Sequence, residues 1–302
     1  MEDIKKRIRK NEFRNGIFLI VGLLSTLIGL VLLAALLIDL AIDGMPRLSY
    51  KFLTSFPSRF PEEAGVLSAL VGSFLILLVT AASAIPLGIA AGIYLEEYAK
   101  KNWLTDIIEI NIANLAGVPS IVYGLMALGL FVQVLRLGES ILTGGLTLGL
   151  LILPMVIMAT RESIRAIPNS IREASYALGA TKWQTVKHHI VPYSTGGILT
   201  GVIIGLSRAI GETAPIITVG ALTFIAFLPS PPLSADFPYV SFKWLMDPFT
   251  VLPIQMFNWV SRPQHAFQLN AAAAGIILML LTLLMNGLAI YIRYKYRKRI
   301  KW

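Results

Sequence analysis

Long apolar runs without Asp, Glu, Lys or Arg recur along this chain and limit what it can fold into. They lie at 15–38, 64–95, 110–135, 140–160 and 263–292. A further apolar stretch, between Lys187 and Asp236, is interrupted only by Arg208 and Glu212. Because a helix needs about twenty predominantly apolar residues to cross the hydrocarbon of a bilayer, these runs predict an integral membrane protein.

The composition supports a membrane protein with one domain. The chain is 56% hydrophobic and only 14% charged, with a mean hydropathy of +0.72. A soluble domain of this length needs more polar surface. No polar stretch is long enough for a second domain, so we predict one transmembrane domain at 17–292 between basic tails at 1–16 and 293–302. The absence of cysteine excludes disulfides and thiol catalysis.

Positive charges orient the predicted helices. Both tails are basic and each abuts an apolar run, which is typical of cytoplasmic segments and not of a nucleic-acid-binding tail. Two cytoplasmic tails require an even number of crossings, so the stretch with Arg208 and Glu212 counts as one helix and the total is six. The predicted cytoplasmic segments then hold nineteen Lys and Arg residues and the outer segments six. We therefore predict an all-α protein of six transmembrane helices, with 15–38 a retained first helix rather than a cleaved signal peptide.

Two predicted outer segments, 39–63 and 226–262, are longer than a turn requires. The second contains many prolines among apolar and aromatic residues, and so cannot be one continuous helix. Two interpretations stay open for it. It is a structured external loop with short helices at the membrane interface, or it is a docking surface for an extracytoplasmic partner.

The predicted cytoplasmic loop 161–192 carries the signals of two short helices. Asn169 or Ser170 can cap the first helix after Pro168, and Gly179 is suited to close it. The second helix has the capping-box spacing of Thr181 and Gln184 and should end before Pro192. The first helix has a small apolar stripe, which either packs on the bundle or enters a groove of another protein, and packing is favoured. The stripe consists of Ile171, Ala174, Ala177 and Leu178.

This loop resembles the EAA loop of ABC importer permeases. Glu173, Ala174 and Ser175 correspond to the EAA letters, Gly179 follows at the expected spacing, and Pro192 closes the motif. The chain departs from the pattern at Ser175, His189 and Val191. The resemblance implies a type I ABC importer permease core whose coupling helices enter a groove of a cytoplasmic ATPase. The residues implied in coupling are Arg172, Glu173, Ala174, Ser175, Ala177, Leu178, Gly179 and Pro192.

The chain has no G-x-x-x-x-G-K-[ST] phosphate loop, so it is not expected to hydrolyse ATP itself, and we predict that it is not an enzyme. His188, His189 and His265 show no metal-ligand spacing with nearby carboxylates, and no nucleophile–base constellation is visible. We therefore expect no cofactor and no metal site, and a partner subunit is expected to supply ATP hydrolysis.

Two polar features lie inside the predicted membrane helices. Arg208 and Glu212 are four residues apart and can pair on one helix face. They either hold helix 5 against its neighbours or line the route of an anion, with Glu212 neutralising or gating Arg208. In helix 3, Pro119 leaves a carbonyl without its usual partner beside the hydroxyls of Ser120 and Tyr123. That segment is either a kinked packing segment or part of a path.

The segments at 94–100, 110–124, 208–215 and 250–259 are similar to those of phosphate ABC permeases of the PstA type. The resemblance implies a path shared with a homologous PstC-type permease, two cytoplasmic ATPase subunits, and an extracytoplasmic phosphate-binding protein in a bacterial or archaeal inner membrane. It implies no cofactor. The path or gating residues would be Arg208, Glu212, Thr213, Pro119, Ser120 and Tyr123. We expect Arg208 to offset the charge of inorganic phosphate.

Two alternatives remain. A permease for another oxyanion, molybdate or sulfate, would have the same architecture. An ion-coupled secondary transporter would use Arg208 and Glu212 as its relay, although the EAA-like loop argues against it.

Overall fold

The computed structural model describes residues 2–232, 239 and 241–297, and helices joined by loops make up this part of the chain, with no strand among them. Residues 233–238 and 240 of the predicted outer loop and 298–302 of the basic C-terminal tail lie outside the described residues. The α-helices of the described part are α1 (Glu2–Gly44), α2 (Tyr50–Thr54), α3 (Leu67–Ile93), α4 (Trp103–Ala116), α5 (Ser120–Ala127), α6 (Ile141–Arg165), α7 (Asn169–Ala177), α8 (Lys182–Thr185), α9 (Val191–Gly211), α10 (Ala214–Thr218), α11 (Leu252–Val260) and α12 (His265–Arg297). Wider π-helical turns lie at Tyr94–Tyr98, Leu128–Val134 and Val186–Ile190.

Six membrane crossings are present in the described residues if one broken helix pair counts as a single span. Five helical segments are long and apolar enough to cross a bilayer: Ile4–Arg47, Leu67–Tyr98, Ile141–Arg165, Lys182–Gly211 and His265–Lys295. The sixth crossing is α4 followed by α5, two helices bent by 106° at a short break. The predicted six-helix fold is therefore confirmed, and its third helix is broken rather than merely kinked.

The fifth crossing begins earlier than predicted. The expectation that the second short helix of the loop ends before Pro192 is wrong, because α8 continues through the turn Val186–Ile190 into α9. The Val191 N–H donates to the Val186 carbonyl, five residues back, which shifts the hydrogen-bond ladder by one residue. Pro192 then lies in the first turn of α9, directly after the π-helical turn.

The centre of the bundle is the crossing of α3 with α6. Gly88 and Gly92 of α3 face Val156 and Thr160 of α6, and a Cβ added at Gly92 would lie 2.6 Å from Thr160 Cβ. Close approach of this kind is how helices pack in a membrane, where burial against lipid supplies little driving force. Helix α9 packs on both α6 and α3, so these three helices form the inner layer.

The second half of the predicted outer loop 226–262 lies inside the bundle. Phe249, Leu252, Ile254 and Trp259 are almost fully buried. The Leu252 N–H donates to Ser73 Oγ of α3 over 2.9 Å, so the first turn of α11 is tied to the core. This half is therefore part of the core, which neither interpretation of the sequence anticipated.

Helix α1 is peripheral. Nothing in its most apolar window is buried, while its C-terminal end packs on α12, where Gly44 lies against Ala272 and Ile276. Because residues 15–38 of α1 are apolar on all sides, this part of the helix is suited to contact lipid or protein.

Gly92→Ala is expected to lower the melting temperature of the detergent-purified protein by roughly 2–10 °C, because overpacking costs about 1–3 kcal/mol. Gly29→Ala in α1 is the matched control, since nothing lies within 4 Å of a Cβ added there. The control should leave the melting temperature unchanged or raise it slightly, because alanine favours a helix. Equal losses in the two variants would contradict the packing argument.

Candidate functional site

The predicted charged pair lies at the C-terminal end of α9. Arg208 is in the last turn of that helix, and Glu212 is the first residue beyond it, with an extended backbone. The Arg208 Nε lies 3.1 Å from Glu212 Oε1, and the side chains are 37% and 18% exposed. The pairing is therefore present, but the expectation that one helix continues through Glu212 is wrong. Pro215 explains the break, because it lacks the N–H that would bond the Gly211 carbonyl.

Only some of the N–H donors of the Arg208 guanidinium have acceptors. Its Nη1 lies 3.6 Å from Met155 Sδ, a weak acceptor. Among the residues that the structure describes, Glu212 is the only carboxylate within 4.0 Å of it. Since a guanidinium has five N–H donors, Arg208 keeps donors that an anion can use while Glu212 holds the side chain in place.

The helix break at Pro119 is repaired by a side chain. An α-helix would bond the N–H of residue 119 to the Leu115 carbonyl, and proline has none. That carbonyl instead accepts from the Tyr123 hydroxyl over 2.8 Å and from the Val118 N–H over 3.1 Å. Tyr123 is only 4% exposed, so in this structure it supports the break and does not face an open path.

Helix α10 brings the two predicted polar segments together. Gly124 of α5 lies directly against Pro215 and Thr218 of α10, with no room for a side chain. Thr213 begins α10, and its carbonyl accepts from the Ile217 N–H over 3.0 Å. Pro119 is exposed and Ser120 half-buried at the start of α5. The structure thus places the Pro119–Tyr123 and Arg208–Thr213 segments on neighbouring elements.

A small cavity lies beside the ion pair. It is enclosed by residues of α3, α6, α9 and α10, and its lining includes Ser73, Leu77, Leu148, Ala209 and Glu212. Helix α3 therefore reaches the Glu212 side of the candidate path with its Ser73–Leu77 segment.

The coupling loop folds much as its local signals predict. Gly179, with a φ of +83°, ends α7 in the left-handed region that favours glycine. Thr181 and Gln184 form the predicted capping box of α8. The N-cap of α7 is Pro168, without a side-chain cap, so the expectation of Asn169 or Ser170 as the cap is wrong.

The apolar stripe of α7 is divided between packing and exposure. Ile171 packs beside Ile164, Ile167 and Ile190. The expected packing is wrong for the other three members, because Ala174 and Ala177 are exposed and Leu178 is 89% exposed. Glu173 is exposed as well. This end of the loop therefore has small and apolar side chains on its exposed surface.

Two buried hydroxyls join the short helices. Ser175 of α7 and Thr185 of α8 are 5% and 1% exposed, and their oxygens lie 2.9 Å apart. Ser175, a departure from the EAA pattern, thus makes a contact that alanine could not make.

Four charged residues near the coupling loop form ion pairs that the sequence did not predict. They are Glu96, Glu97, Glu109 and Arg161. Arg161 Nη2 lies 2.6 Å from Glu109 Oε1 and its Nε lies 3.5 Å from Glu96 Oε2. Glu97 pairs with the predicted coupling residue Arg172 at 2.7 Å. The only sequence signal was two adjacent glutamates directly after an apolar run, and nothing in the sequence indicates which distant arginines reach them.

No metal site is evident in the part of the chain that the structure describes. Three or more His, Asp or Glu side chains never come together there in a group that could hold a metal ion.

Comparison with known proteins gives the family. Residues 84–298 match the family described as "Binding-protein-dependent transport system inner membrane component". The chain is 33% identical over 294 residues to the phosphate transport system permease protein PstA of Yersinia pestis, covering 96% of this chain and 93% of that protein. It is 30% identical over 301 residues to PstA of Mycobacterium leprae, covering 98% and 92%. It is also 35% identical over 213 residues to the probable ABC transporter permease protein YqgI of Bacillus subtilis, covering 70% and 71%.

Solved structures show the same fold. A chain of a bacterial alginate ABC transporter in complex with an alginate pentasaccharide-bound periplasmic protein superposes with a TM-score of 0.65 at 14% identity, covering 92% of this chain and 94% of that chain. An inward-facing MetNI methionine ABC transporter gives a TM-score of 0.56 at 15% identity, covering 74% and 94%. The chain belongs to the family of binding-protein-dependent transport system inner membrane components, and within it to the PstA-type permeases.

Proposed function

We propose that this chain is a permease subunit of an ATP-driven phosphate importer. The observation that carries the proposal is the 33% identity to the phosphate permease PstA over 96% of the chain. The translocation path is shared with a homologous PstC-type permease. Two ATPase subunits bind on the cytoplasmic side, and an extracytoplasmic phosphate-binding protein delivers the substrate.

The proposed orientation has both termini in the cytoplasm of a bacterial or archaeal cell. Six crossings put both tails on one side, and the excess of Lys and Arg in the tails and in the segments at 100–101 and 161–187 supports a cytoplasmic side for them. Under this orientation the EAA-like loop faces the ATPase.

Arg208 is the proposed contact for the phosphate anion. A cation inside a membrane span is costly unless it faces an interior or aqueous route. Arg208 is 37% exposed and has one carboxylate partner in the described part of the chain, which leaves guanidinium donors free. A guanidinium binds phosphate oxygens through paired N–H donors. Glu212 keeps the arginine in place when no anion is present and releases it when one arrives.

The exposed face of the coupling loop is the proposed contact for the ATPase. Leu178 is 89% exposed on a helix that is anchored through Ile171 and Ser175. Glu173, Ala174 and Ala177 complete a surface of small, apolar and acidic groups. A short anchored helix with such a face fits a groove on a partner protein.

Radiolabelled phosphate uptake should disappear from cells that lack this chain and return when the chain is supplied. The restored uptake is expected to require ATP and to resist excess sulfate and molybdate. If excess sulfate or molybdate abolished phosphate uptake, the chain would be assigned to that oxyanion instead. Uptake that persists without the ATPase would favour an ion-coupled transporter.

Arg208→Ala is expected to reduce phosphate uptake by about 10- to 100-fold, since a hydrogen bond to a charged group contributes about 1.5–3 kcal/mol. Uptake is measured in the assembled complex, whose subunit content must equal that of the unaltered complex. Lys51→Ala removes an exposed positive charge from α2 and serves as the control. Normal uptake by Arg208→Ala would refute the assigned role.

Leu178→Asp should release the ATPase without unfolding the chain, because an exposed side chain contributes little to the stability of the permease itself. Co-purification of the ATPase with the permease measures the effect, and at least a ten-fold loss, worth about 1.4 kcal/mol, is expected. Leu178→Met preserves the apolar contact and should bind the ATPase normally. Full retention of the ATPase by Leu178→Asp would exclude this face as the docking surface.

A further inference from the structure

The end of α3 holds three consecutive side chains that contact three different elements of the coupling side. Glu96, Glu97 and Tyr98 lie in the π-helical turn Tyr94–Tyr98 that extends the helix. Their partners lie on α6, α7 and α8 and are Arg161, Arg165, Arg172 and Lys182. One turn of helix thus joins a membrane-spanning element to both short helices of the coupling loop.

The Glu97–Arg172 pair is the most buried of these contacts. The two side chains are 6% and 16% exposed. Glu97 Oε1 accepts from Arg172 Nη2 over 2.7 Å and from Nε over 3.0 Å. Loss of the Glu97 charge would leave the Arg172 guanidinium without its counter-charge, which would weaken the junction between α3 and α7.

The remaining donors of Arg172 are also used. Its Nη1 donates to the Ile167 carbonyl over 2.9 Å and lies 3.2 Å from Asn169 Oδ1, and its Nη2 donates to the Ile164 carbonyl over 3.2 Å. The guanidinium therefore connects the end of α6, the first turn of α7 and the end of α3. Unlike Arg208, it has no evident capacity left for a ligand.

Both coupling helices are connected to this junction by packing and hydrogen bonds. Ile171, on the helix face next to Arg172, packs in the cluster formed with Ile164, Ile167 and Ile190. The bond between Ser175 and Thr185 then ties α7 to α8. The contact between Glu97 and Arg172 therefore connects both short helices to the end of α3.

Helix α3 leads from this junction to the candidate path. Ser73 lies 24 residues before Glu97, which corresponds to about 36 Å of helix. Ser73 and Leu77 line the cavity that Glu212 also lines, and Ser73 Oγ accepts from the Leu252 N–H. The two ends of one helical element thus contact the coupling loop and the ion-pair region.

We propose that Glu97 and Arg172 are positioning residues for energy coupling, which fix α7 to α3 so that movement of the coupling loop reaches the Glu212 end of the path. This rests on the proposed function, since it requires an ATPase docked on the loop. Neither residue touches the transported ion.

The test uses the full transporter, purified with its partner subunits and reconstituted in proteoliposomes, where ATP hydrolysis and phosphate uptake are measured together. Glu97→Gln preserves the side-chain shape and removes the charge. It is expected to lower uptake per ATP hydrolysed about ten-fold, while ATP hydrolysis and subunit content stay normal. An unchanged ratio, or a parallel loss of hydrolysis, uptake and subunits, would overturn the proposal.

Glu162→Gln is the matched control. Glu162 pairs with Arg165 at the same end of the bundle, but its side chain is 69% exposed. Exposed pairs of this kind contribute little, so the ratio of uptake to hydrolysis should equal that of the unaltered complex.

A second variant separates the mechanical link from the charge. The chain contains no cysteine, so Glu97→Cys with Arg172→Cys can be joined by a bifunctional thiol reagent in a cysteine-free partner background. Before cross-linking, the double variant should take up little phosphate per ATP hydrolysed. After cross-linking, it should recover most of the uptake per ATP of the unaltered complex. Failure of the cross-link to restore coupling would refute a role in transmission.

A readout without substrate distinguishes this inference from the phosphate assignment. Labelling of Thr213→Cys should change when the complex binds ATP, and Glu97→Gln should abolish that change. If the unaltered complex imports no phosphate but shows the Glu97-dependent change in labelling, the phosphate assignment fails and the coupling inference stands. If labelling responds to ATP equally with and without the Glu97→Gln substitution, the coupling inference fails.

Discussion

The rest of this structure depends on one constraint: a backbone polar group inside the hydrocarbon must find its partner within the protein. At three places where the chain departs from a regular helix, a specific contact or a wider helical turn meets that need. The Leu115 carbonyl, which Pro119 cannot bond, accepts from the Val118 N–H and from the Tyr123 hydroxyl, and Ser73 Oγ accepts the first free N–H of α11. The π-helical turn before α9 lets the helix pass Pro192. Irregular backbone is thus supported by local contacts, and two of these supports, Tyr123 and Ser73, lie near the candidate path.

Charged side chains in the protein interior need partners even more than backbone groups do. The two ion pairs of Arg172 and Arg208 differ in how completely this need is met. Arg172 is saturated, since Glu97, two carbonyls and Asn169 take up its donors. Arg208 has a single carboxylate contact within the described residues and is more exposed. An arginine whose donors are all used fixes two elements to each other. An arginine with unused donors can also bind an anion. The structure therefore supports a structural link at one end of the bundle and a substrate contact at the other.

Much of the candidate site follows from local rules. The capping box of Thr181 and Gln184 and the positive φ of Gly179 depend on interactions within a few residues, and both are present as predicted. The prediction that a helix ends before Pro192 was wrong, although a proline normally has this effect. Here a π-helical turn precedes the proline, and such a turn has no simple sequence signature. The proline-rich segment 226–262 was predicted to be an outer loop because it connects the fifth and sixth crossings and its prolines prevent one continuous helix. Trp259 and Phe249 are nevertheless buried, since α3, α6 and α12 leave a space that they fill.

The sequence by itself determined the number of membrane crossings, the proposed orientation and the position of the coupling loop. These properties follow from transfer of apolar residues into lipid and from charge asymmetry, which are sums over neighbouring residues. Only the tertiary structure decided that Glu97 pairs with Arg172, residues 75 positions apart, and that α10 packs on the broken third helix. Such pairings depend on which helices are neighbours and at what height, and that is set by close packing at positions such as Gly92 and Gly124.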